Sequence, residues 1–190
     1  MPQPNVLILY NEPVLPLDHP DADSEYDVLD TADVIARNLK KAGIPNRRLG
    51  VTNDISTLVA GLKALAPDVV FNLYEGTAKC GNTEVYVAGI LEWLGIPFTG
   101  SPTQPMHLCR SKPLAKATLL GAGLPTAKFF TVDATPCPPN TLGWPVIVKP
   151  AAEDGSVGIT QASVVTKQEQ LDAQVASILK MYGGSALVEQ

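Results

Sequence analysis

Cysteine is scarce in this 190-residue chain, with three residues at positions 80, 109 and 137. Cys80, Cys109 and Cys137 are too few and too scattered for a disulfide framework, and no Cys-x-x-Cys pair or histidine spacing suggests zinc. A reducing, cytoplasmic setting is expected. Basic residues are also few, 14 Lys and Arg against 19 Asp and Glu, and the formal charge of −5 with no long basic run excludes nonspecific affinity for nucleic acid. No hydrophobic run has the length of a membrane span. The short run Val6 to Tyr10 has no basic residue before it and is followed by Asn11, Glu12 and Pro13, so it lacks the form of a signal peptide. The two histidines, His19 and His107, belong to no nucleophile or metal arrangement, and there is no internal repeat or low-complexity tract. What remains is 45% hydrophobic and 17% charged, ordinary for a packed protein with a sizeable core, although 17 prolines are many for this length.

The chain reads as α/β. Val6 to Tyr10 is a first strand, and Asn11 to Asp27, rich in Pro, Asp and Glu, is a long loop of the kind that often carries function. Val28, Ala32, Ile35, Ala36 and Leu39 share one face of a helix that Gly43 stops, and Ile55, Leu58, Val59, Leu62 and Leu65 repeat the pattern in a second helix. A buried-type strand at Asp68 to Leu73, a helix from about Thr83 to Leu94 and the short strand Ile96-Pro97-Phe98 follow, and the alternation implies a parallel sheet covered on both faces. Around Gly100 to Pro105 this pattern lapses, which suggests a boundary between residues 1–101 and 102–190. The second part predicts a helix over Lys112 to Leu120, a strand over Lys128 to Val132, and an antiparallel pair formed by Val146 to Lys149 and Ile159 to Val165. A helix opened by a Thr166/Glu169 capping box then presents Leu171, Val175, Ile178 and Leu179, and Ala186 onward is a last strand.

The segment from Trp144 to Gly158 carries the most chemistry. Val146-Ile147-Val148 is β-branched throughout, Pro150 cannot donate to a sheet ladder, and Lys149 therefore sits where a strand runs out. Gly155 and Gly158 let the backbone approach a ligand, and Ser156 adds a hydroxyl beside the N–H groups of a turn, so a charge and several donors could converge on one anion. Each feature alone is also what a surface lysine and a plain hairpin look like. Gly76 to Thr83 matches the phosphate-loop template except that Asn82 stands in place of its lysine; a helix N-terminus behind glycine still attracts anions, or the segment is an ordinary strand-to-helix turn. Glu75, Glu12 and Glu25 would share the crevice at the carboxyl ends of the parallel strands as partners for an ammonium group, or are solvated carboxylates. Lys112 opens a helix, where its cation opposes the dipole unless an anion compensates.

Four motifs then occur in a recognisable order: Phe71-Asn72-Leu73-Tyr74-Glu75-Gly76, Leu91 to Ser101 (LEWLGIPFTGS), Ser111-Lys112-Pro113-Leu114-Ala115-Lys116, and the Lys149 hairpin. With them the chain resembles the D-alanine–D-alanine ligases of the ATP-grasp superfamily, as a divergent member of which only the N-terminal portion is present. The resemblance implies a Rossmann-like pre-ATP-grasp substrate domain followed by the first α+β subdomain of an ATP-grasp fold. It implies a cytoplasmic ligase of cell-wall peptidoglycan type that binds ATP and Mg2+ and joins two amino-acid substrates through an acylphosphate, with no nucleic-acid or membrane partner and a homodimer among the expected assemblies. By position, Lys112 and Lys149 would bind phosphate oxygens. Glu153, Gly155, Ser156 and Val157 would cover them, Glu189 and the backbone around Gln190 would meet adenine, and Glu25, Glu75 and Ser156 would serve the substrates.

Three departures fall on the substrate side more than on the nucleotide side. Glu75 stands where peptidoglycan enzymes have His, Gly155-Ser156 replaces paired serines, and Ser111 replaces the Asp before the first phosphate lysine. The magnesium ligands and the acylphosphate-stabilising Arg of the family are expected beyond Gln190, so the polypeptide alone is expected to be an inactive piece of a longer ligase that binds ATP weakly. The competing reading is a non-enzymatic nucleotide- or ligand-binding module that keeps half of an ATP-grasp fold. The phosphate hairpin, Asp154 to Val157, is expected to be mobile when empty.

Overall fold

The computed structural model describes residues 3–19, 22–77, 81–153 and 156–190. They form two compact units, Met1–Thr103 and Gln104–Gln190. In the first, β1 (Val6–Asn11) is buried at every position and lies between β2 (Asn46–Val51) and β3 (Val69–Leu73), parallel to both. Its unbroken apolar run follows from cover on both faces. Leu7 and Leu9 point into a cluster with Leu58 and Leu62 of α2 (Ile55–Leu65) and Val87 and Leu91 of α3 (Thr83–Trp93). Ile8 and Tyr10, on the other face, meet Ala32 of α1 (Ala22–Lys41), with Val28, Ile35, Ala36 and Leu39 packed around them. Residues 96–98 run beside β3 as a single parallel bridge, Val70 to Phe98.

Three expectations change here. The edge strand β2 was not foreseen, because Asn46-Arg47-Arg48 shows no apolar alternation. Helix α1 begins at Ala22 rather than Val28, so Glu25 belongs to a helical first turn, where a carboxylate complements the dipole, and not to a loop. Ile55, placed on the apolar face of α2, is exposed; it sits in the first turn, after Asp54 has capped the N–H of Ser56.

The second unit holds most of α4 (Thr103–Arg110), then α5 (Lys112–Gly121), β4 (Phe129–Val132), β5 (Val146–Pro150), β6 (Val164–Val165), α6 (Gln168–Tyr182) and β7 (Ala186–Glu189). The sheet runs β4-β7-β5-β6 with every pair antiparallel. Val132, Val146, Val148, Val165, Ala186 and Val188 lie in one core with Leu171, Val175 and Ile178 of α6. Since side chains alternate along a strand, Phe129, Thr131, Ile147, Lys149, Leu187 and Glu189 share the opposite face.

Helix α4 has no apolar period and was not foreseen. The strand expected over Ile159 to Val165 is cut to two residues, because Thr160 and Ser163 cap each other around one turn of 3₁₀ helix, Gln161–Ser163. Ahead of α6, Thr166 pairs with Gln170 instead of Glu169: its N–H and hydroxyl lie 2.9 and 3.1 Å from the Gln170 Oε1. No helix among the described residues is long and apolar enough to cross a membrane.

Candidate functional site

Alternation along β5 turns Val146, Val148 and Pro150 toward the core and leaves Lys149 on the other face. The register sets Ile147 opposite Glu189 and Lys149 opposite Leu187, so Lys149 and Glu189 are diagonal neighbours on one face, within reach of a long side chain. Lys149 Nζ lies 3.0 Å from Glu189 Oε2. A second cation, Lys116 of α5, lies 3.4 Å from the same oxygen. Lys116 also donates to Thr126 Oγ1 at 2.7 Å and sits 5.2 Å from the centre of the Phe129 ring. Lys116 is a buried residue, and sequence reading missed it as a site residue; its i, i+4 spacing from Lys112 on one helix was the available signal.

Lys112 is the first residue of α5. Its N–H donates to the Ala151 carbonyl at 3.0 Å, and its Nζ to the Pro150 carbonyl at 3.1 Å. The structure therefore brings Lys112 to the end of β5 where Lys149 stands. Ser111 caps this helix, its hydroxyl accepting from the Leu114 N–H at 3.4 Å.

Of the expected phosphate hairpin, Asp154 and Gly155 lie outside the described residues. Glu153 is half-buried beside the end of β5. Ser156 is exposed with φ at +64°, and its carbonyl accepts from the Ile159 N–H at 3.1 Å, which closes a tight turn. Gly158 anchors that turn: φ is +73°, and a Cβ there would come within 2.8 Å of Pro150 Cγ and of the Tyr182 ring. Val157 between them is half-buried. At the end of β7, the Gln190 N–H donates to the Lys128 carbonyl at 3.0 Å and its side-chain amide to the Leu142 carbonyl at 3.4 Å. The Gln190 N–H, expected among the groups meeting adenine, thus serves the sheet edge.

The other candidates lie in the first unit, at the carboxyl ends of the parallel strands. Asn11 is buried at the end of β1, and its Oδ1 accepts from the Glu75 N–H at 3.4 Å. The buried Thr77 hydroxyl donates to Asn53 Oδ1 at 2.6 Å, and the hydroxyls of Tyr74 and Thr83 lie 3.0 Å apart. Gly76 has φ at +88°, and a Cβ would fall 2.7 Å from the Gly81 backbone, so the loop closes tightly on itself. Residues 78–80 of the phosphate-loop-like stretch lie outside the described residues. The Glu75 side chain is exposed. Glu25 has a structural task, its Oε2 accepting from the N–H groups of Val14 and Leu15 at 2.9 and 2.7 Å and so tying the loop after β1 to the first turn of α1. Among the described residues no group of three or more His, Cys, Asp or Glu side chains could hold a metal ion.

No family model matches the chain. It is 34% identical over 157 residues to the D-alanine–D-alanine ligase of Gluconobacter oxydans, a match covering 80% of this chain and 48% of that one. To the D-alanine–D-alanine ligase of Granulibacter bethesdensis it is 32% identical over 154 residues, covering 80% and 47%. The D-alanine–D-alanine ligase of Bacillus anthracis, solved in complex with ATP, matches with a TM-score of 0.78 at 20% identity over 100% of this chain and 57% of that one. The VanG D-Ala:D-Ser ligase of Enterococcus faecalis matches at 0.70 and 18%, covering 100% and 63%. The chain spans about half the length of the curated relatives it matches. It is a relative of the D-alanine–D-alanine ligases, matching their N-terminal part, and its fold is their Rossmann-like parallel-sheet unit followed by the first α+β subdomain of ATP-grasp.

Proposed function

We propose that this chain corresponds to the N-terminal part of an ATP-dependent carboxylate–amine ligase that joins two amino acids. The observation that carries the reading is the sheet face where Lys149 and Glu189 lie 3.0 Å apart, with Lys112 at the end of the same strand. The two ammonium groups suit nucleotide phosphate oxygens, since charge-assisted contacts to phosphate are strong and depend on geometry. The Glu189 carboxylate suits an exocyclic amine of adenine. The turn at Ser156 to Gly158, held under Pro150 and Tyr182, would present Ser156 and neighbouring N–H groups over the phosphates, as would Glu153, Gly155 and Val157.

In such a reaction a substrate carboxylate oxygen attacks the γ-phosphorus and its bond to ADP breaks. The amine of the second amino acid then attacks the acylphosphate carbon, phosphate leaves with the carbonyl's activating oxygen, and the amine loses a proton. The part of Lys112 and Lys149 is electrostatic: fixed cations offset charge on the transferring group without reorganising. Glu75, exposed at the carboxyl end of β3, and the Glu25-anchored loop would receive an amino acid's ammonium group, and the Ser156 hydroxyl would donate to a substrate oxygen. Mg2+ would neutralise phosphate charge when bound; its ligands are assigned to a part of the ligase outside these residues.

Calorimetric titration with ATP and magnesium tests the reading. Micromolar or weaker binding, with no phosphate release from amino-acid pairs, is expected of the 190-residue chain. Submicromolar affinity would contradict the division of labour, and no binding at millimolar ATP would remove the nucleotide site.

A further inference from the structure

Lys116 lies on α5, away from the strand ends, and among the described residues it meets the Glu189 carboxylate, the Thr126 hydroxyl and the Phe129 ring. Its side chain is 11% exposed. An ammonium group in such a place bears a desolvation cost that a methionine of similar length would avoid while packing on the same ring. Stability is thus a weak reason for a lysine here. Position is a stronger one, because Glu189 Oε2 is shared between two cations that differ in freedom. Lys149 stands at a strand end beside the proposed phosphate site, whereas Lys116 is fixed from the side by Thr126 and Phe129.

We propose that Lys116 is a positioning residue that holds the Glu189 carboxylate in place while Lys149 turns to the phosphates, and so keeps base recognition independent of phosphate binding. This rests on the nucleotide reading above. In the absence of ligand Lys149 and Glu189 neutralise each other, and phosphate binding breaks that pair. With Lys116 present, Glu189 keeps a counter-charge and its location. With Lys116 removed, the carboxylate loses its counter-charge and its location once Lys149 turns away, so the base contact is lost while the phosphate contact is kept.

The test is titration of the 190-residue chain and its Lys116→Met, Lys116→Gln and Lys116→Arg variants with ATP, GTP and inorganic tripolyphosphate, followed by chemical-shift changes at millimolar ligand. For Lys116→Met and Lys116→Gln, ATP affinity should fall by about tenfold, the worth of one charge-assisted hydrogen bond. The preference for ATP over GTP should shrink toward unity and tripolyphosphate should bind within about twofold of the parent, a change within measurement scatter on the affinity scale. Lys116→Arg should restore the preference, and a purely structural role would leave the ATP-to-GTP ratio unmoved. If the parent prefers ATP and that ratio persists in the variants, or if ATP and tripolyphosphate weaken together, the positioning role fails while the nucleotide site stands. If the parent binds no ATP, both fall. Should Lys116→Met not fold, Lys116→Gln, which keeps a donor for Thr126, carries the same readout.

Discussion

Lys149 and Glu189 meet across the seam between β5 and β7, Nζ to Oε2 at 3.0 Å, with 19% and 18% of their side chains exposed. The pair is a diagonal contact dictated by sheet register, not by a loop, so the ladder fixes where the two side chains start while the long Lys149 side chain stays free to turn. Lys149→Met should weaken ATP and tripolyphosphate alike by about tenfold or more, since the lost cation serves phosphate and not the base. Stability should change by less than about 1 kcal/mol, because Lys116 still neutralises Glu189 and an apolar side chain of similar length escapes the desolvation cost of a mostly buried ammonium. Parallel ligand titrations and urea denaturation check both halves, and a larger loss for ATP than for tripolyphosphate would contradict the assignment.

Gly158 and Gly184 separate steric from conformational cost. Both have positive φ, +73° and +63°, but a Cβ at Gly158 meets Pro150 and Tyr182 at 2.8 Å while nothing lies within 4 Å at Gly184. Gly184→Ala should cost about 1–2 kcal/mol for the left-handed backbone alone. Gly158→Ala should cost about 1–3 kcal/mol more from overpacking. Equal costs in urea denaturation would mean that the turn is not seated against α6 as described.

The parts of this fold that were legible are those in which one local rule decides the outcome. Val6 to Tyr10 reads as a covered strand because every residue is apolar, and Lys149 stands out because a β-branched run, a proline and two glycines bracket it. The strand at Asn46–Val51 was hidden because an edge strand needs only one partner and can carry Arg47 and Arg48 exposed. Helix Thr103–Arg110 buries none of its residues, so it has no apolar stripe to read. Lys116 was overlooked for another reason: beyond its i, i+4 spacing from Lys112, its meaning depends on Phe129 and Glu189, 13 and 73 positions away, which only the pairing of β4 with β7 brings to it. Glu25 shows the converse, a carboxylate whose residue type suggested chemistry and whose Oε2 accepts from the backbone of Val14 and Leu15, a task that its place in the sequence did not reveal.

The hydroxyl of Thr77, buried just past β3, donates to Asn53 Oδ1 at 2.6 Å and so links the loop after β3 to the loop before α2. Thr77→Val keeps the shape and removes the donor. It should destabilise the chain by about 1 kcal/mol, the net worth of one such hydrogen bond, whereas Thr77→Ser should recover most of it. Urea denaturation of the two variants is the measurement, and a loss in Thr77→Ser without one in Thr77→Val would point to methyl packing as the cause.

Cys137 and Asp172 make stability depend on pH at both ends of the scale. Burial pushes the Cys137 thiol up to about 12, helped by the Asp172 carboxylate beside it. The Asp172 carboxyl is held below its ordinary value, first by the Cys137 backbone N–H, which donates to its Oδ1 at 2.7 Å. A thiol raised in the folded state favours folding below its unfolded value near 9 and loses that contribution as pH climbs from 9 toward 12. The depressed carboxyl does the reverse, stabilising above its unfolded value of 3.8 and ceasing to do so as pH falls below it. Between pH 8 and 10 the parent should therefore lose more stability than Cys137→Ala, and between pH 5 and 3 more than Asp172→Asn. At pH 8 iodoacetamide should modify the exposed Cys109 well before Cys137, with Cys137 reacting only as denaturant opens the second unit. Comparable rates at the two thiols by mass spectrometry would show that Cys137 is not shielded by the sheet and α6, and the alkaline prediction would fall with it.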